Sequence, residues 1–332
     1  MINQRLFDWY KIDTSKNLGI RNHCPRPFDT VLIDKTGSCY ACECTAWLPQ
    51  SIGNLQIKTL DEIVCSPMHE HLQESIIDGT YRYCNENQCS YIRANIVDHT
   101  TTSVTYIEHL RLAIDDSCNL RCPSCRTGLI FEKEGSRFNK RIEFADKINV
   151  WLQNLIHPCT VHIGSDGDPF ASHVYRYFME HTPDSDQIRY SILTNGLLVD
   201  EFHDKIPQVV KRLTKLGVSV DGATKNTYEQ LRLGGSWKKI QYNLNFIKEL
   251  KKQFNFKFEL HMVVQKDNWK EMPTMLELAD QFNVDVVYFN EIKDWNTGQD
   301  IKKVTPPADS NEYNNIIKQV NQHPKAKTWA LL

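Results

Sequence analysis

The chain has 332 residues, 41% hydrophobic and 24% charged, with a formal net charge of −2. That composition suits a globular protein with a sizeable core, and the balance of charge gives no electrostatic grip on nucleic acid or anionic membrane. No apolar run approaches the ~20 residues of a membrane span and the first residues lack a signal-peptide profile, so a soluble, cytoplasmic protein is expected.

Residues 1–104 hold Cys24, Cys39, Cys42, Cys44, Cys65, Cys84 and Cys89, out of 11 cysteines in all. The total is odd and no secretory signal accompanies it, which points to metal ligation rather than disulfides. Asp34-Lys35-Thr36-Gly37 is a good hairpin turn, so the chain can reverse between Cys24 and Cys42. A small β-hairpin domain that brought this pair to Cys84 and Cys89 would complete one metal site, for an iron–sulfur cluster or a structural zinc. Cys39 and Cys44 flank Cys42 and could replace it. Cys65 and Cys159 are expected in packed interior.

From Thr105 onward, strands alternate with helices, the pattern of a parallel sheet covered by helices. Strands are expected at His109–Ile114, Thr160–Gly164, Ile188–Leu193, Gly217–Val220, Phe256–Val264 and Asp285–Asn290. Amphipathic helices are expected at Ile142–Ile156, Asn243–Phe254 and Glu271–Phe282, the last with Pro273 in its opening turn. Six such units over 105–295 imply an α/β fold built on an open, partial (β/α)6 barrel rather than a closed eightfold one. The extension 296–332 is polar, with one helix expected around Asn311–Asn321.

The first barrel strand runs into Cys118-x3-Cys122-x2-Cys125. A loop at the C-terminal end of a parallel strand is where barrel enzymes place their chemistry. Three thiolates there can ligate three irons of a cubane and leave the fourth iron open. Zinc usually takes four protein ligands, and no His lies in this loop. In the fifth strand, Phe256, Phe258, Leu260, Met262 and Val264 alternate with Lys257, Glu259, His261, Val263 and Gln265. One face suits a packed helix layer; the other sends a carboxylate, an imidazole and an amide toward the lumen.

Cys118-Asn119-Leu120-Arg121-Cys122-Pro123-Ser124-Cys125 resembles the signature of the radical S-adenosylmethionine (SAM) superfamily. Ser124 departs from the aromatic residue many members have there. The resemblance implies a partial (β/α)6 barrel in which the open iron binds SAM, and an electron from the cluster yields a 5′-deoxyadenosyl radical. Gly164-Ser165-Asp166-Gly167-Asp168-Pro169 resembles the family's Gly-Gly-Glu-Pro motif, with Asp168 in place of Glu. Asn195, in Thr194-Asn195-Gly196, and Ser219 and Asp221, in Ser219-Val220-Asp221-Gly222, lie in segments similar to family motifs. Arg232 is similar to an arginine that meets the SAM carboxylate in some members. The resemblance makes these residues and Gln265 candidates for holding SAM. It makes Glu259, His261 and, past the sixth strand, Glu291 and Asp294 candidates for the reaction itself.

The N-terminal cysteines resemble the SPASM and twitch domains, which hold auxiliary [4Fe–4S] clusters in a branch of these enzymes. Ser51-Ile52-Gly53-Asn54-Leu55 and Leu60-Asp61-Glu62-Ile63 look like the segment that follows the second ligand there. Here the domain precedes the barrel, whereas most relatives place it after. The resemblance implies one auxiliary [4Fe–4S] cluster on Cys24, Cys42, Cys84 and Cys89, able to accept the electron released when substrate is oxidised. It implies an oxidoreductase that abstracts hydrogen from a peptide or protein side chain, or else from a carbohydrate or nucleoside, with an external reductant such as flavodoxin or ferredoxin. A non-catalytic iron–sulfur or zinc protein is the alternative of a different class, and a six-unit barrel with a polar lumen argues against it.

Overall fold

A computed structural model of the chain describes residues 17–19, 24–93, 106–293 and 300–329. Its ten described strands are β1 (Thr30–Asp34), β2 (Ser38–Tyr40), β3 (Ser51–Asn54), β4 (His109–Ala113), β5 (Cys159–Ile163), β6 (Ile188–Thr194), β7 (Leu213–Ser219), β8 (Lys257–Val264), β9 (Val286–Glu291) and β10 (Ala326–Trp329). They form one sheet in the order β10-β9-β8-β7-β6-β5-β4-β1-β2-β3. The strands from β1 through β4 to β10 pair in parallel, whereas β2 pairs antiparallel with both β1 and β3. The six central strands are the expected parallel barrel strands.

Alternation along each strand decides which face packs. Leu110, Leu112, Val161, Phe258, Leu260, Met262 and Phe289 are fully buried. They meet a helix layer that includes α1 (Ser136–Gln153), α2 (His173–Glu180), α3 (Trp237–Phe254), α4 (Met272–Gln281) and α5 (Asn311–Asn321). Each such side chain contributes about 1.5–3 kcal/mol by leaving water. Side chains on the opposite face of the strands point into the lumen.

The differences from the expected elements have local causes. Helix α3 starts at Trp237, well before Asn243, because Ser236 caps it by accepting the Lys239 N–H. It stops where Asn255 takes a left-handed conformation (φ 49°). β7 begins four residues before Gly217: Lys215 breaks the apolar run, but it is a lumen residue in a strand whose other face is buried. β10 went unexpected; it is a short edge strand in a polar tail, held by parallel pairing to β9.

The cysteine-rich segment shares this sheet. β1 pairs with β4 over Thr30–Asp34, and the hairpin carrying Gly37 continues the sheet outward. The segment also reaches the far side of the barrel: Lys293, just past β9, lies 5.7 Å from the ring centroid of Trp47. It therefore touches both flanks of the open barrel. No helix among the described residues is long and apolar enough to cross a membrane.

Candidate active site

The loop after β4 carries Cys118 and Cys122, both buried, and Cys125, which is exposed. Its shape is set by short-range bonds. The Leu120 N–H points at Cys118 Sγ (3.4 Å), and the N–H groups of Cys125 and Arg126 both donate to the Cys122 carbonyl. A buried ion cluster clasps its ends: Arg141 from α1 pairs with Asp115, with Asp116 (3.0 Å) and with Glu132 (3.2 Å). Ser172 Oγ adds a 2.6 Å hydrogen bond to Asp115. Lys35, at the turn after β1, reaches Asp116 at 2.5 Å and ties the cysteine-rich segment to the same loop.

The loop after β5 lies against the cysteine loop. Gly164 has φ +103°, and a Cβ there would sit 2.1 Å from the Leu193 carbonyl oxygen; Gly167 has φ +68°, and its Cβ would press on the carbonyls of Ser117 and Asp115. Only glycine allows both the conformation and the approach. Ser165 and Asp166 are exposed between them. Asp168 is buried and fully engaged: Oδ1 accepts the N–H groups of Phe170 and Ala171, and Oδ2 accepts Thr194 Oγ1 and the Asn195 N–H, both at 2.7 Å. It thus joins the loops after β5 and β6 and has no oxygen to spare for a ligand. Asn195, so held, aims Nδ2 at Cys118 Sγ (3.7 Å) and at Asn119 Oδ1 (2.8 Å). Burial pushes the Cys118 thiol up to about 11, with the Asp168 charge adding to it.

Beyond β7, Asp221 accepts the Val263 N–H at 2.9 Å and pairs with Arg232 Nε at 2.8 Å. Burial raises the Cys122 thiol and Arg232 opposes that rise, so the Arg232–Asp221 pair stands close to the triad. Asn268, not foreseen from the sequence, pins this corner. Its Nδ2 donates to the carbonyls of Asp221 and Val263, and its Oδ1 accepts the Gln265 N–H. Glu271 likewise accepts the N–H of Ala223 at 2.7 Å. Both lie in the turn after β8, where an Asn and a Glu read only as turn and helix-start residues.

The lumen candidates divide. Ser219, His261 and Tyr288 share one row of the sheet, and the His261 ring stacks on Tyr288 with centroids 4.8 Å apart. Glu259 lies 3.5 Å from His261 Nε2. Gln265 is buried, with no hydrogen-bond partner for its Nε2 among the described residues. Glu291 needs correction. Strand alternation puts it with Val287 and Phe289, on the helix-facing side, where it acts on Tyr313 of α5. Asp294 lies outside the described residues.

The N-terminal thiols converge. Burial raises the Cys42 thiol, and the next charges that act on it through space are Cys24, Cys84 and Cys89. Tyr81 holds this corner; the Cys24 N–H donates to its hydroxyl oxygen at 3.0 Å. Cys44 neighbours Cys89, whereas Cys39 is sealed in the main core with its sulfur 3.7 Å from the Gly37 carbonyl. Cys159 is buried as expected. Cys65 is not: it sits exposed at the end of a short helix, Leu60–Val64.

Residues 114–279, half of the chain, match the family model of the radical SAM superfamily. The chain belongs to that superfamily. It is an enzyme fold, and membership implies a [4Fe–4S] cluster and SAM; three thiols on one loop, with no fourth cysteine there, suit a cluster with an open iron. Among curated proteins, this radical SAM protein is 22% identical over 208 residues to an uncharacterized protein of Archaeoglobus fulgidus, covering 62% of this chain and 46% of that one. It is 23% identical over 141 residues to a GTP 3′,8-cyclase of Alkaliphilus oremlandii, covering 42% of each. The chain spans about half the length of the curated relatives it matches. Among solved structures it is similar to Streptococcus suis SuiB bound to precursor peptide SuiA (TM-score 0.47, 15% identity, 67% of this chain and 48% of that one). It is also similar to a radical SAM methyltransferase from Sphaerobacter thermophilus (TM-score 0.43, 14% identity, 64% and 63%).

Proposed function

We propose that this radical SAM enzyme abstracts hydrogen from a peptide or protein side chain bound in the lumen, with an auxiliary [4Fe–4S] cluster on Cys24, Cys42, Cys84 and Cys89 to take up the electron the substrate releases. The observation that carries this is the convergence of those four thiols in a segment that touches both flanks of the barrel.

When bound at Cys118, Cys122 and Cys125, the cluster supplies the electron for reductive cleavage of SAM. The chain's own residues do the rest. Asn195 directs an N–H toward Cys118 sulfur, a contact that tunes a cluster's potential. Gly164 and Gly167 keep the backbone clear for the SAM amino-acid end, flanked by Ser165 and Asp166. Arg232, oriented by Asp221, is the cation for its carboxylate. Ser219, in register with His261, and the unpartnered amide of Gln265 are further polar groups for SAM, and Glu259 with His261 provides a place to hold or move a proton. Asp168 is a positioning residue. In this reading residues 1–104 form the auxiliary domain, 105–295 the barrel and 296–332 an extension.

The test is anaerobic reconstitution of wild type and a Cys118/Cys122/Cys125→Ala triple variant, with iron counted and 5′-deoxyadenosine assayed after dithionite and SAM are added. About eight irons falling to about four, with loss of 5′-deoxyadenosine, is the expected result. About four irons in the wild type and none in the variant would remove the auxiliary cluster. Tightly held zinc without iron would sink the proposal.

A further inference from the structure

We infer that the lumen holds a binding subsite for an anionic group of the substrate, a carboxylate or a phosphate, built by Arg111, His162, Ser191 and Lys215. The inference rests on the lumen being the substrate cavity.

Sheet register makes the row. Arg111 of β4 is paired with His162 of β5, His162 with Ser191 of β6, and Ser191 with Lys215 of β7. Four adjacent parallel strands thus present these side chains at one level on the lumen face. All four are partly accessible, while their strand neighbours on the other face are buried in the core.

The charges of this row are not spent inside the protein. The Lys215 ammonium has no ion pair or hydrogen bond among the described residues. Arg111 Nε is buried and lacks an acceptor. Among the described residues the carboxylate that pairs with Arg111 is Glu43 at 4.0 Å, and Glu43 is better placed on Arg26, at 2.9 Å. Asp29 and Glu108 group with His109, two residues before Arg111 on β4. His162 reports the resulting field. Burial holds its pKa down to about 2, and the cations Arg111, Lys215 and Arg26, with His109 when it is protonated, push the same way. Two partly buried cations side by side, one without a carboxylate partner and the other 4.0 Å from a shared one, favour an anion between them. His162 Nε2 shares a 3.2 Å hydrogen bond with His109 Nδ1; with Nε2 as its acceptor, a neutral His162 keeps Nδ1–H to donate, beside the Ser191 hydroxyl, to the same oxygen atoms.

The test is calorimetric titration of reconstituted protein with inorganic pyrophosphate and, separately, glutarate at matched ionic strength. Wild type is compared with Lys215→Met, Arg111→Met and a surface control, Lys211→Met. Lys215→Met leaves no partner stranded, so it keeps the fold even where Arg111→Met does not; circular dichroism and iron content check both. At least ten-fold weaker binding in Lys215→Met, with Lys211→Met unchanged, is expected, and the anion that binds assigns the subsite to phosphate or carboxylate. No binding of either anion, wild-type affinity in Lys215→Met, or equal loss in Lys211→Met would overturn the inference. The titration needs neither SAM nor reductant. A protein that binds the anion but forms no 5′-deoxyadenosine keeps the subsite and loses the proposed function, and the reverse result does the opposite.

Discussion

The main-chain N–H of Asn195 donates to Asp168 Oδ2 at 2.7 Å, and the same Asn195 side chain turns toward Cys118 sulfur. A carboxylate that looks from sequence like a ligand-binding group is thus the brace that orients a neighbour of the cluster loop. Asp168→Asn keeps the shape but puts an N–H2 where an acceptor is needed, leaving a buried donor unmet. The expected cost is about 1–3 kcal/mol in an anaerobic urea titration. The reduced cluster's EPR spectrum should change with it, because Asn195 loses its anchor. Unchanged stability and an unchanged spectrum would remove Asp168 from this role.

Arg141 makes a second such brace. Its guanidinium is buried against Asp115, which has no exposed surface, and it also meets Asp116 and Glu132 at the other end of the cysteine loop. Arg141→Met strands the Asp115 charge, at a cost of about 3–5 kcal/mol. The loop then loses its clasp. Iron bound by the triad should fall while iron bound by the N-terminal cysteines persists, which Mössbauer spectroscopy of the two populations can check.

The proposed auxiliary site distinguishes its cysteines by neighbourhood. Cys42 and Cys39 are both buried in the main core, but Cys24, Cys84 and Cys89 act on Cys42 whereas only Asp34 acts on Cys39. Cys42→Ala should lose about four irons relative to wild type. Cys39→Ala should keep them and lose only packing. Retention of full iron in Cys42→Ala, with loss in Cys44→Ala, would transfer the fourth ligand to Cys44.

The barrel was legible because its signals are periodic. Apolar residues alternate along β8, and the cysteine triad follows β4 directly, so local pattern and chemistry agree. What escaped was long-range. Nothing local in Thr30–Asp34 says that it will pair with His109–Ala113, far along the chain, and so merge the cysteine-rich segment into the barrel sheet. Asn268 and Glu271 were missed because they act on main-chain groups of another loop. Glu291 was misplaced for a simpler reason: its face is fixed by the strand's register, and the expected strand end fell one residue short.

His162 gives the chain a pH dependence whose sign can be worked out. Its pKa lies near 2 in the fold, chiefly through burial and then through Arg111, His109 and Lys215, against an ordinary value of 6.5. Above pH 6.5 both folded and unfolded forms are neutral, and the group's contribution is complete. As pH falls below 6.5 the unfolded chain takes up a proton that the folded chain refuses, so stability declines by up to about 1.4 kcal/mol per pH unit. His162→Asn removes this term. Between pH 6.5 and 5 the variant's unfolding free energy should therefore fall less steeply than that of the wild type. His109, whose pKa is also lowered by burial, hydrogen-bonds His162 at 3.2 Å, so the same comparison in a His109→Asn background isolates the His162 contribution. Parallel slopes would mean that His162 is readily protonated in the fold, and that the cations of its row are balanced by groups nearer than Glu43.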